Sequence, residues 1–107
     1  MPNDRIAAFR DMLEKQPDNA LIRFGLANEL LKALRFEEAA DELGLYLQKH
    51  EDEGNGWLRY AEALRVSGRD NDAREAISRG VQAAQKHNHG TLVNELNALR
   101  EEIDEGV

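Results

Sequence analysis

Trp57-Leu58-Arg59-Tyr60-Ala61-Glu62-Ala63-Leu64, followed by Gly68 and then Ala73-Arg74-Glu75-Ala76-Ile77, decides the fold. Trp57, Tyr60, Ala61, Leu64, Gly68, Ala73 and Ile77 fall 34 places after Arg23, Leu26, Ala27, Leu30, Leu34, Ala39 and Leu43. A fixed period of about 20–50 residues marks stacked repeats, in which each unit buries its apolar face against its neighbours. Apolar residues recur at helical spacing along nearly the whole chain, and strand-like alternation is missing. The pattern predicts an all-α protein of about six helices.

Working outward from that stretch, a first helix is expected from about Asn3 to Lys15, with Ile6, Phe9, Met12 and Leu13 on one face. Pro17 stops it, because the residue before a proline is pushed out of the helical region. Asp18 or Asn19 then caps a second helix, which carries Leu26, Ala27, Leu30 and Leu34. A short turn at Leu34-Arg35 leads to a third, Glu37 to about Lys49, with Ala39, Leu43, Tyr46 and Leu47 apolar. The polar segment Glu51-Asp52-Glu53-Gly54-Asn55-Gly56 is a break, and the fourth helix starts near Asn55. Gly68 ends it in a left-handed conformation, and Asp70 caps a fifth helix bearing Ala73, Ile77, Val81 and Ala84. After His87-Asn88-His89-Gly90, a sixth helix from Thr91 to about Asp104 aligns Leu92, Leu96, Leu99 and Ile103.

The bulk composition narrows the function classes. The 107 residues suffice for one elongated core, and the formal charge of −7 is spread along the chain without a basic stripe. Nucleic-acid binding needs clustered Lys and Arg to displace counterions, so it is disfavoured. Cysteine is absent, which removes disulfides, thiol catalysis and thiolate metal sites. Asp4, Arg5 and Arg10 interrupt any signal-peptide core, and no stretch approaches the roughly 18 apolar residues of a membrane span. A cytoplasmic protein that does not engage membrane is expected.

The paired helices resemble the tetratricopeptide repeat, whose pattern is W-x2-L-G-x2-Y, then A-x3-F, then P. The second unit reads Trp57-x2-Tyr60-Ala61-x2-Leu64, then Ala73-x3-Ile77, and the first reads Arg23-x2-Leu26-Ala27-x2-Leu30, then Ala39-x3-Leu43. Phe9, Leu13 and Pro17 lie one period before Leu43, Leu47 and Glu51, so Pro17 takes the place of a closing proline. The resemblance implies antiparallel helix pairs stacked as a short right-handed α-α superhelix. It divides the chain into a half repeat (3–17), two complete repeats (20–53 and 54–87) and a capping helix (90–104). Two departures stand out: Arg23 occupies an aromatic position, and Glu51 and Gln85 stand where prolines would close the repeats.

In such families partners lie along the concave face, lined by the first helix of each pair. That resemblance carries over to Leu21, Phe24, Asn28, Leu31 and Lys32 in the first complete repeat, and to Asn55, Leu58, Arg59, Glu62 and Arg65 in the second. Leu21, Phe24, Asn28 and Leu31 form a stripe separate from Leu26/Ala27/Leu30, expected to face solvent as a contact surface. The carboxylate clamp of chaperone-binding members is not implied: Asn28 fits one of its positions, but Phe24 and Arg59 replace the lysine and an asparagine.

No Gly-rich phosphate loop, nucleophile elbow or carboxylate pair in an apolar setting occurs. Glu37-Glu38 and Glu101-Glu102 are adjacent, so on helices they point apart. His87 and His89, with Asp70 and Asp72 upstream, invite a metal, but two imidazoles two residues apart in a turn cannot alone fill a tetrahedral shell and no cysteine helps; His50 reads as a helix-end residue. No enzyme activity, metal or cofactor is expected. The sequence leaves open an adaptor that holds a protein segment in a concave groove and a scaffold that self-associates through its N-terminal repeat face.

Overall fold

The computed structural model describes residues 4–106. Among them lie six helices and no strand: α1 (Asp4–Lys15), α2 (Ala20–Lys32), α3 (Phe36–Lys49), α4 (Asn55–Val66), α5 (Asp70–Lys86) and α6 (Gly90–Glu105). The expected helix start at Asn3 lies outside the described residues. Each helix packs against the next in the chain, and α6 also reaches α4.

Three of the connections are the same device. The Arg35, Arg69 and His89 amides donate to the Leu30, Leu64 and Ala84 carbonyls, and the Leu34, Gly68 and Asn88 amides donate to Leu31, Arg65 and Gln85. This is the Schellman arrangement, which satisfies carbonyls orphaned at a helix end. It needs a left-handed residue in the middle: Leu34 (φ 61°), Gly68 (φ 80°) and Asn88 (φ 56°). The residue after it closes one helix and caps the next, so Arg35, Arg69 and His89 share nearly the same backbone angles.

That economy corrects two expectations. Leu34 is not part of the packing stripe of α2; it sits in the left-handed slot of the turn and is 72% exposed. Asp70 does not cap α5. Arg69 occupies the cap position, Asp70 is already helical, and no side chain bonds across the cap. The turn has no spare residue to hold a separate capping side chain.

The other two breaks use side chains. Asn19 caps α2, its Oδ1 accepting the Ile22 amide at 3.1 Å. Before α4, Asp52 Oδ1 accepts the Gly54 and Gly56 amides at 2.8 Å each, and its Oδ2 accepts the Tyr46 hydroxyl at 2.9 Å. One carboxylate therefore starts α4 and ties it to the end of α3. Tyr46 lies between the rings of Phe24 and His50, with centroids 4.9 and 5.1 Å away. Burial, reinforced by the Asp52 carboxylate, raises the Tyr46 hydroxyl above its ordinary value.

The core forms two clusters. Ile6, Leu26, Leu30 and Ala39 join α1 to α3, while Ala61, Leu64, Ala73, Ile77, Leu92 and Leu96 join α4 to α6; Leu31 packs against both. Ala27, Ala39, Ala61 and Ala73 are fully buried, because only a small side chain lets neighbouring helix backbones approach this closely. Close approach is sharpest at Gly25, where a Cβ would stand 2.5 Å from the Phe9 ring; at Gly80 it would stand 2.8 Å from Trp57 Cβ.

Faces of the helix stack as candidate binding sites

Helix α6 packs against α5 and also reaches α4. Leu92, Leu96 and Leu99 follow Trp57, Ala61 and Leu64 by 35 residues, one more than the repeat period, and are buried in the same cluster. Arg65 Nη1 donates to Glu102 Oε2 at 2.8 Å, joining α4 to α6. Arg74 Nε donates to Asp104 Oδ1 at 2.8 Å, which fixes α6 on α5.

The expected apolar stripe on α2 is not a continuous open surface. Leu21 is 84% exposed, but Phe24 is half-buried against Tyr46 of α3, and Leu31 is half-buried in the seam between the two clusters. Sequence periodicity could not show this, because the covering residue comes from the other helix of the same pair.

Among the described residues, Asn28 Oδ1 and Arg59 Nε are buried side-chain atoms without a hydrogen-bond partner. Lys32 pairs with Glu29 at 3.2 Å, and Arg65 is committed to Glu102. Partial loss of water raises the Glu62 carboxyl above the ordinary carboxylate range; the Glu95 and Glu102 carboxylates add to this and Arg59 opposes it. Leu58 is half-buried against the larger cluster, and Asn55 begins α4.

The aromatic position taken by Arg23 has its own solution. Its Nη1 donates to Glu42 Oε1 at 2.6 Å and its Nη2 to the Pro17 carbonyl at 3.0 Å. His50 ends α3, and His87 and His89 take the last cap of α5 and the first cap of α6.

The sequence model of the tetratricopeptide repeat matches residues 2–77, most of the chain. The chain belongs to the tetratricopeptide repeat family. It is 30% identical over 99 residues to a TPR repeat-containing protein of Pseudomonas aeruginosa, covering 92% of this chain and 94% of that one. No solved structure matches it. Tetratricopeptide repeats serve in general as protein-interaction scaffolds, and no helix among the described residues is long and apolar enough to cross a membrane.

Proposed function

We propose that this tetratricopeptide repeat protein is a non-enzymatic adaptor that holds a segment of a partner protein along α2 and α4. The supporting observation is the pair Asn28 Oδ1 and Arg59 Nε, an acceptor and a donor buried without partners on the helices where the family binds its ligands. Leaving a buried polar atom unpaired costs about 1–3 kcal/mol. Asn28 and Arg59 are only partly buried as residues, so a rotamer change can turn each atom toward the N–H and C=O that an extended segment carries at every residue. Leu21 and Leu58 supply apolar contact beside them, and Glu62 adds an acceptor for a donor on the segment. We assign the site to Leu21, Asn28, Leu58, Arg59 and Glu62. Phe24 and Leu31 support it from within the stack, and Lys32, Asn55 and Arg65 flank it.

Affinity capture from the native cell with the wild-type chain, Asn28→Leu and Arg59→Met tests this reading. A partner retained by wild type and lost by both variants supports it. Equal retention on all three overturns it.

One observation favours self-association as a second reading. Met12 on α1, a large apolar side chain, is 40% exposed. Light scattering over a dilution series decides it: a concentration-dependent mass lost in Met12→Glu supports the scaffold, and a constant monomer mass removes it.

A further inference from the structure

The opposite side of the stack carries a cleft between the second helices, α3 and α5. It has a volume of about 490 Å³ and is floored by Trp57 and Tyr60 of α4, with Gln48 on one wall. That volume lies in the range of sites that enclose a ligand or a short run of side chains. Gly44 stands on its α3 wall, where a Cβ would make an ordinary contact of 3.4 Å with the Tyr60 hydroxyl oxygen and a larger side chain would enter the cleft.

The chemistry of the lining is specific. The Trp57 and Tyr60 rings have centroids 6.2 Å apart and are tilted by 53°. The Arg79 guanidinium lies 5.9 Å from the indole centroid. The rim carries no free charge, because Arg69 pairs with Asp72 at 2.9 Å and Arg79 with Glu75 at 3.2 Å. Among the described residues, the Tyr60 hydroxyl, the Trp57 indole N–H and the Gln48 amide make no hydrogen bond to the protein. The cleft thus offers aromatic faces and hydrogen-bond donors within a neutral rim.

We propose that this cleft is a second docking site, which takes an uncharged, proline-containing extended segment of another protein. A polyproline II segment keeps its carbonyls unpaired and presents flat apolar rings, and aromatic-lined grooves hold it by that combination. Tyr60, Trp57 and Gln48 donate to the carbonyls, and the tilted rings take the proline faces. A helical occupant would have its carbonyls already bonded and leave those donors idle. The first repeat cannot form the equivalent site, since Arg23 stands in the Trp57 position and is bound to Glu42.

Trp57 is the single tryptophan of the chain, so its emission reports on the cleft directly. Titrating the full chain with an uncharged oligoproline peptide is expected to give a saturable change in Trp57 emission. Gly44→Leu, which fills the cleft, is expected to weaken binding at least about tenfold, whereas Arg59→Met on the other side leaves it unchanged. If Gly44→Leu loses helical circular dichroism, Tyr60→Phe and Gln48→Ala give the same reading, each with a several-fold loss. Three results would each overturn the proposal: no saturable change, undiminished binding by folded cleft variants, or an emission change produced by raising the protein concentration alone, which would place a second copy of the chain in the cleft.

Discussion

Arg23 Nη1 lies 2.6 Å from Glu42 Oε1, and these two residues fall one 34-residue period before Trp57 and Ala76. The repeat thus fills one position in two ways, with an ion pair in one unit and with a large ring beside a small residue in the other. The pair is mostly shielded, with side-chain exposures of 15% and 23%. Glu42→Ala leaves the guanidinium without its partner and is expected to cost about 1–2 kcal/mol, between the values for surface and buried pairs. The double variant Arg23→Trp/Glu42→Ala imitates the second repeat and is expected to recover most of that loss. Urea denaturation of Arg23→Trp, Glu42→Ala and the double variant checks the cycle; strictly additive losses would show that the two positions are not coupled.

Leu34 and Gly68 are likewise equivalent, and here the first repeat carries the strained residue. A left-handed conformation costs a non-glycine residue about 1–2 kcal/mol, and the greater freedom of glycine in the unfolded chain returns part of that. Leu34→Gly is therefore expected to stabilise the fold by up to about 1 kcal/mol, raising the melting temperature by about 4–8 °C. Gly68→Ala should shift it the other way. A lower melting temperature for Leu34→Gly would contradict the strain assignment.

Asp52 accepts three hydrogen bonds, two from backbone amides at the start of α4 and one from Tyr46. Asp52→Ala is expected to cost about 2–3 kcal/mol, as loss of a cap combined with a buried unpaired donor. Asp52→Asn, which keeps an acceptor for the amides, should cost less. Equal losses for both variants in denaturant titrations would show that the caps contribute little.

Tyr46 carries a pH signature. Its hydroxyl is raised above the ordinary value of 10.0, mainly by burial. As pH climbs above 10.0, the unfolded chain releases this proton while the folded chain keeps it. Stability is therefore fully present below that pH and falls as pH rises through the folded value. Tyr46→Phe is expected to cost about 1 kcal/mol near neutrality and to flatten the alkaline decline. An unchanged alkaline slope would contradict the shift.

The repeat register, Pro17, Asn19 and Gly68 were legible in the sequence because each acts locally or recurs at the period. Leu34 misled for the same reason. It aligns with Gly68 and is apolar, so it reads as packing, although the shared requirement is a backbone angle that leucine rarely adopts. Asp70 misled because a run of capping residues marks where a cap could form, not whether the preceding turn leaves room for one. The Arg23–Glu42 pair, the cover of Tyr46 over Phe24 and the buried atoms of Asn28 and Arg59 depend on which helices meet. Of the ten concave positions read from the resemblance, Phe24 and Leu31 are tied into the stack, and Lys32 and Arg65 have ion-pair partners.

Asn28→Leu and Arg59→Met each remove a buried polar atom that has no partner, so both are expected to leave stability unchanged or raise it by up to about 1 kcal/mol. Both should weaken partner binding. Function lost against stability kept is the signature of a binding residue, and a large stability loss would instead give these side chains a structural role.

The most direct test of the adaptor is site-specific photo-crosslinking in the native cell. A photoreactive side chain is placed at Leu21 or Glu62 on the proposed binding face, and at exposed Gln82 on α5 as a control. The predicted result is a discrete adduct to another protein from Leu21 and Glu62 that is absent from Gln82. An adduct from Gln82 with none from Leu21 or Glu62 would contradict the account.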